Sequence, residues 1–175
     1  MPCIVTLPLP NTLQLVNCGL SAVTIGALES RGIHALFAVQ KQVFTPAMEG
    51  ADLIARAKTG SGKTLAFALP VIEKILAGRE GVRPSHGRPP QCLVLAPTRE
   101  LAKQVEKELA QAGPTLSVGC YYGGTAIGPQ LRELRSGVDV AVGTPGRVID
   151  LIDQDALDLS QVEGGGAHQQ RNTDL

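Results

Sequence analysis

The sequence predicts an α/β domain with a parallel sheet covered by helices on both faces. Two observations carry this. Short apolar runs alternate with helix-periodic segments, and one of those runs feeds a glycine-rich loop that opens directly into a helix. At 175 residues there is room for one domain with a proper core and too little for two ordinary ones. Residues 1–18, with Pro2, Pro8 and Pro10, read as an irregular N-terminal segment. Ser21 caps a short helix over 22–30 that Gly32 stops, and a second helix runs from Gln40 to Met48, interrupted in pattern by Pro46. Residues 52–56 form a short apolar run suited to a buried parallel strand. After the glycine loop a helix runs from Lys63 to Leu76, with a bend expected near Pro70. Residues 78–90, rich in Gly, Pro and Arg, read as a surface loop. Strand candidates then follow at 92–96, 116–122 and 138–142. They are separated by a helix over 100–111, with Leu101, Val105 and Leu109 as its apolar stripe, and by a second helix over 129–135. Thr144-Pro145 opens a last helix, with proline at a favoured first position.

Composition excludes several function classes. Lys plus Arg equals Asp plus Glu, so no global basic field draws in nucleic acid, and any such contact must be a local patch. The four cysteines, at 3, 18, 92 and 120, form no C-x-x-C pair and have no His at zinc spacing. They read as free thiols of a reducing compartment, with no zinc. No apolar run approaches the roughly 20 residues that cross a bilayer, and the N-terminus has neither a basic n-region nor the Arg content of a transit peptide. The reading is a soluble intracellular protein, monomeric and without a membrane partner.

The segment Ala57-Lys58-Thr59-Gly60-Ser61-Gly62-Lys63-Thr64 carries the strongest chemical signal. A phosphate-binding loop turns backbone N–H groups inward around the oxygens, and Gly60 and Gly62 permit that approach. Lys63 would place its ammonium between the outer phosphates of a nucleotide, and the Thr64 hydroxyl would ligate Mg²⁺. The helix beginning at Lys63 directs its positive end at the anion. The coarse class is therefore a P-loop nucleotide-binding domain. The loop alone does not say which reaction follows.

The first position of the usual G-x-x-x-x-G-K-[ST] pattern is Ala57 here. This alanine-led loop comes with Gln40 upstream and Pro97-Thr98-Arg99-Glu100-Leu101 downstream, then Gly123-Gly124 and Thr144-Pro145-Gly146-Arg147. Over residues 19–162 the sequence resembles the DEAD-box RNA helicases. The resemblance implies a RecA-like domain, ATP and Mg²⁺ as cofactors, and RNA-stimulated ATP hydrolysis in an intact member. It assigns Gln40 to the adenine, whose N6 and N7 edge a carboxamide complements. Leu36-Phe37-Ala38-Val39 is similar to the Leu-Phe-Pro-Ile of plant plastid and nucleolar members, with Ala38 in place of a proline. Leu15 stands where the family usually places an aromatic residue that stacks on adenine.

The same resemblance sets Pro97, Thr98, Arg99, Gly123, Gly124, Thr144, Pro145, Gly146 and Arg147 against an RNA backbone. Bare N–H groups at glycine pairs and helix N-termini suit phosphates, with Arg99 and Arg147 adding charged forks. Such contacts read backbone shape and the 2′-hydroxyl, so RNA binding independent of sequence is implied. Taken singly, Thr98 would be an ordinary helix cap and Gly123-Gly124 a plain turn.

The resemblance ends near Val162. Where the family continues into a strand ending in Asp-Glu-Ala-Asp, residues 163–175 carry three glycines and a polar run, and read as a disordered tail outside the family pattern. The acids that would position Mg²⁺ and activate water are not found among these residues. The domain is thus expected to be incomplete at its C-terminus and less stable for lack of a central strand. Asp150, Asp153, Asp155 and Asp158 read as a solvated helix face instead of substitutes, and His168 as a bystander. The switch at Glu163 reads as a frame change, a retained intron or a truncated gene, which predicts Leu-Asp-Glu-Ala-Asp in another frame or nearby exon. Two other readings stay open: a non-catalytic short isoform competing for RNA or partners, and an unrelated P-loop kinase. The subgroup resemblance points to plastid or nucleolus, with cytoplasm also open.

Overall fold

The first helix begins at the Ser21 cap that the sequence predicts, and the strands are short and mostly apolar. The computed structural model describes residues 3–5, 13–58, 60–79, 85–162 and 167–168. Its contacts fall into two units, residues 1–80 with 111–114 and residues 81–110 with 115–175, each described here by itself.

The first unit contains β1 (Cys3–Val5), β2 (Leu13–Gln14), a 3-10 turn at Leu15–Asn17, α1 (Ala22–Glu29) and β3 (Ala35–Leu36). α2 (Ala38–Met48), β4 (Leu53–Ala55) and α3 (Lys63–Ala77) complete it. Ser21 caps α1 through its hydroxyl, which accepts from the Thr24 N–H at 3.4 Å. The cap is anchored in turn by Glu73 of α3, whose two carboxylate oxygens accept from the Ser21 N–H and Oγ, each at 3.1 Å. Glu73 is buried, a position that its place among the charged residues of α3 does not reveal. Val39 and Val43 of α2 meet Ala66 of α3, with Ala47, Leu53 and Ala57 packed against them. α2 continues through Pro46, and α3 runs unbroken through the buried Pro70.

Two expectations for this unit change. The run at 52–56 is predicted to be a buried strand, yet among the described residues β4 pairs only with β1, in parallel from Cys3↔Leu53 to Val5↔Ala55. None of its three residues is fully buried, and Ile54 is 52% exposed. The segment 1–18 is likewise not wholly irregular, since it supplies β1 and the antiparallel β2–β3 pair. Residues 1–2 and 6–12 lie outside the described residues.

The second unit holds β5 (Cys92–Leu95), α4 (Arg99–Ala112), β6 (Val118–Tyr121) and α5 (Ile127–Ser136). β7 (Val140–Gly143), α6 (Pro145–Asp153) and β8 (Ala167–His168) follow. Its sheet has the order β6-β7-β5-β8 and every pairing is parallel. β7 lies between two neighbours and all four of its residues are buried, which explains its unbroken Val-Ala-Val-Gly. Tyr121, Leu134, Val138, Ala141, Val148, Leu151 and Leu157 form the core on this sheet. The buried stripe of α4 is Ala102, Val105, Leu109 and Ala112, so Ala102 takes the inward place that the sequence gives to Leu101. The loop before β5 is pinned by Arg88, whose Nε donates to the wholly buried Asp139 at 2.6 Å. The other Asp139 oxygen accepts from the Ser117 N–H.

β8 corrects the tail reading. Residues 163–175 are expected to form no strand, but Ala167–His168 pair in parallel with Val94–Leu95. An open sheet edge presents backbone N–H and C=O groups, and any backbone satisfies them whatever side chains it carries. Residues 163–166 and 169–175 lie outside the described residues.

Glu73→Ala should lower the stability of the chain by about 2 kcal/mol, because the Ser21 donors lose a buried partner. Arg88→Ala should cost about 3 kcal/mol, removing the Nε donor from the buried Asp139 carboxylate. Urea unfolding followed by circular dichroism measures both, and a shift below a few tenths of a kcal/mol would contradict the assignments.

Candidate functional site

The loop between β4 and α3 turns on Gly62. Its φ of +76° lies in the left-handed region, and it caps a helix of 15 residues whose first N–H groups therefore face the loop. A side chain here is excluded twice over. A Cβ on Gly62 would fall 2.2 Å from Gln40 Nε2 and 2.9 Å from Phe37 Cδ2. The Ser61 hydroxyl donates to the Lys58 carbonyl at 2.7 Å, and the Lys63 ammonium donates to the Ala57 carbonyl, so the side chain lies back across the loop that it terminates. Lys63 and Thr64 are half-buried, and Gly60 is exposed. Thr59 lies outside the described residues.

Gln40 is 2% exposed and joins two segments. Its Oε1 accepts from the Phe37 N–H at 2.8 Å, and its Nε2 donates to the Gly62 carbonyl at 3.1 Å. The carboxamide thus holds the start of α2 against the phosphate loop, and each end keeps one bonding position beyond those used. Leu15 is 2% exposed and belongs to the core, so it presents no face to a base. Phe37, beside the glutamine, is half exposed and lies against Gly62. The family resemblance does not assign this residue to the site, since it places the aromatic residue farther upstream. An aromatic residue beside the glutamine was the available signal.

In the second unit the segments 97–101, 123–124 and 144–147 follow the carboxyl ends of β5, β6 and β7. Parallel pairing gathers those ends on one edge. The Ala96 N–H donates to the Gly143 carbonyl and the Thr144 N–H to the Tyr121 carbonyl, both at 2.9 Å, which carries the ladder one residue past each strand. Arg99 lies over Gly124, where a Cβ would come within 2.9 Å of the guanidinium and φ is +79°. Lys103 stands 5.0 Å from the centre of the Tyr122 ring, placing a second cation beside the glycine pair. Pro97, Arg99, Gly124, Pro145 and Gly146 are exposed, while Thr144 and Gly123 are half-buried. Thr98 is occupied as a cap, its Oγ1 accepting from the Leu101 N–H at 3.3 Å.

Arg147 departs from its expected place. The sequence reading offers it to a phosphate, but it is 9% exposed and bonded inward. Its NH1 donates to Gln130 Oε1 at 2.8 Å and its NH2 to the Thr125 carbonyl at 3.2 Å. Of the acids considered as substitutes, Asp150 sits 3.6 Å from Arg147 Nε, and Asp158 bonds Ser160, whose N–H and hydroxyl hold its carboxyl below the usual range. Among the described residues no three His, Cys, Asp or Glu side chains gather where a metal ion could sit.

A family profile described as DEAD/DEAH box helicase matches residues 37–164. The chain belongs to this family. It is 56% identical over 151 residues to "DEAD-box ATP-dependent RNA helicase 9, mitochondrial" of Arabidopsis thaliana, covering 86% of this chain and 24% of that protein. It is 47% identical over 147 residues to "Nucleolar RNA helicase 2" of Rattus norvegicus, covering 84% of this chain and 18% of that protein. The crystal structure of a DEAD box protein from the hyperthermophile Methanococcus jannaschii superposes with a TM-score of 0.73 at 31% identity, covering 89% of this chain and 40% of that one. The chain therefore has the α/β, RecA-like architecture of DEAD-box proteins and spans a quarter or less of the length of these curated relatives. Among the described residues no helix is long and apolar enough to cross a membrane.

The strand cysteines Cys92 and Cys120 are held as thiols. Burial pushes the Cys92 thiol up to about 12. Burial, helped by Glu106 and Glu133, pushes Cys120 up to about 11. Both are protonated at neutral pH, and the thiolate emerges only as pH rises through those values. Iodoacetamide at about pH 8 should modify neither in the folded chain and both in urea. Rapid labelling of folded Cys120, read by mass spectrometry, would contradict the geometry.

Proposed function

We propose that this chain is the ATP-binding, RNA-facing N-terminal region of a DEAD-box ATP-dependent RNA helicase. The observation that carries the reading is the phosphate loop itself: Gly62 in a left-handed turn at the head of α3, with Gln40 seated on its carbonyl. A nucleotide's outer phosphates would take the Lys63 ammonium from the Ala57 carbonyl, a neutral acceptor exchanged for a charged one. The loop N–H groups and the α3 terminus would hold the remaining oxygens, and Thr64 would bind Mg²⁺ with them. Gln40 would read adenine through its remaining donor and acceptor, with Phe37 as the apolar face beside it. Ala57, Lys58, Thr59, Gly60 and Ser61 complete the cradle.

The RNA track in this proposal is the edge formed by Pro97, Thr98, Arg99, Gly123, Gly124, Thr144, Pro145 and Gly146. Arg99 supplies the charge and the exposed backbone supplies N–H donors, so recognition is of phosphate and ribose and not of base sequence. In helicases of this kind ATP binding closes two domains on RNA, and hydrolysis reopens them. Residues 1–175 contain no Asp-Glu-Ala-Asp sequence. This chain by itself is therefore proposed to bind nucleotide as a monomer without appreciable turnover or unwinding. A short chain that competes with a complete helicase for RNA is the second reading, favoured by the same observation. Relatives named mitochondrial, chloroplastic and nucleolar suggest an organellar or nucleolar location.

Nucleotide binding and ATP turnover, each with and without single-stranded RNA, test the proposal on wild type and Lys63→Ala. Binding that Lys63→Ala weakens about a hundredfold, with no turnover, is the expected result. RNA-stimulated turnover lost in Lys63→Ala would refute the catalytic incompleteness, and phosphate transfer to a small acceptor would favour a kinase. Gly62→Ala should abolish nucleotide binding by displacing Gln40 and straining the turn.

A further inference from the structure

Gln130 is 8% exposed, uncharged, and belongs to none of the segments that the family resemblance assigns to RNA. It nevertheless joins two of them. Its Nε2 donates to the Tyr122 carbonyl at 3.2 Å and to Thr125 Oγ1 at 3.1 Å, so both amide hydrogens are spent on the turn that contains Gly123 and Gly124. Its Oε1 accepts from Arg147 NH1 at 2.8 Å, and Arg147 NH2 donates to the Thr125 carbonyl at 3.2 Å. The two side chains thus hold the turn from its buried side and tie it to α6. Two glycines in succession leave a turn with wide backbone freedom, and nothing in residues 123–124 themselves selects one conformation. Carbonyls fixed at 122 and 125 select it from outside.

We infer that Gln130 is a positioning residue that sets the Tyr122–Thr125 turn for RNA phosphate, and that Arg147 braces this turn from behind without touching RNA. The inference rests on the RNA-facing reading of this edge. Burying a guanidinium beside neutral acceptors carries a desolvation cost, and a residue meant for phosphate would keep its fork at the surface as Arg99 does. The nearest carboxylate, on Asp150, is 3.6 Å from Nε and 60% exposed, so it does not explain the burial. Arg147 Nε is itself buried without a hydrogen-bond partner, which two bonds to the turn and to Gln130 outweigh.

Counterion release separates a brace from a ligand. Binding of the 175-residue chain to a short oligouridylate is measured by fluorescence anisotropy across a salt series. The variants are Arg99→Ala, Arg147→Gln, Gln130→Ala and Gln130→Glu. Arg99→Ala should flatten the slope of log K against log salt by about 0.7, the loss of one phosphate contact to a single strand. Arg147→Gln and Gln130→Ala should weaken binding about fivefold or more with the slope unchanged. Gln130→Glu keeps an acceptor for Arg147 and loses both donors, so it should stay folded and still bind weakly. Amide exchange at Gly123 and Gly124 should quicken in all three brace variants.

A slope for Arg147→Gln that flattens as Arg99→Ala does would overturn the inference, making Arg147 a phosphate ligand. Wild-type affinity in Gln130→Glu, or unchanged exchange in the turn, would overturn it too. Should Gln130→Ala unfold, as its melting curve would show, the Gln130→Glu result decides. Absence of RNA binding by the wild type, with nucleotide binding intact, would remove the underlying RNA reading and the inference together.

Discussion

Parallel pairing of β7 with β5 on one side and β6 on the other is the constraint on which the edge proposed for RNA depends. Val140 lies opposite both Cys92 and Val118, and Gly143 lies opposite both Leu95 and Tyr121, so the three strands end at one level. Three stretches separated by some twenty residues in sequence therefore emerge side by side. The backbone bonds from Ala96 to Gly143 and from Thr144 to Tyr121 extend that alignment into the loops. Without this register the exposed residues 97, 99, 124, 145 and 146 would be unrelated surface positions.

A second constraint acts on the phosphate loop. Gln40 spends one bond on Phe37 and one on Gly62, and the glycine has no room for a methyl group. The geometry of the loop is thereby set from outside the loop, by a residue some twenty positions upstream. The glycine turn at 123–124 repeats this arrangement with different atoms, since Gln130 fixes it from α5. In both places glycine gives the backbone its close approach and a buried carboxamide removes the freedom that glycine brings.

Much of this was legible in the sequence. The helices and the strands β4 to β7 lie within a few residues of their predicted positions, because apolar runs and caps such as Ser21 act locally. The glycine loop and the segments 97–101, 123–124 and 144–147 were recognisable as ordered motifs of one family, and the family profile matches residues 37–164. Less legible were residues whose role depends on a partner far along the chain. Glu73 resembles any polar helix residue until it meets Ser21, and Asp139 resembles a loop acid until it meets Arg88 and Ser117. Leu15 is covered and Phe37 is half exposed for the same reason: burial is a property of the fold, and composition does not distinguish the apolar face that is covered from the one that is not.

The sequence by itself determined the chemistry: a glycine loop entering a helix, a lysine and a threonine at its end, and motifs of one helicase family in order. Those follow from residue identity and spacing, which local backbone physics converts directly into a glycine turn at the N-terminus of a helix. Only the tertiary structure decided which arginine stays available. Arg99 remains at the surface over Gly124, while Arg147 turns inward to Gln130 and Thr125. It also decided the pairing of the strands that flank the resemblance, giving β4 to β1 and the edge of β5 to β8. Hydrogen-bonding edges are satisfied by whichever backbone reaches them, and no side-chain pattern announces that choice.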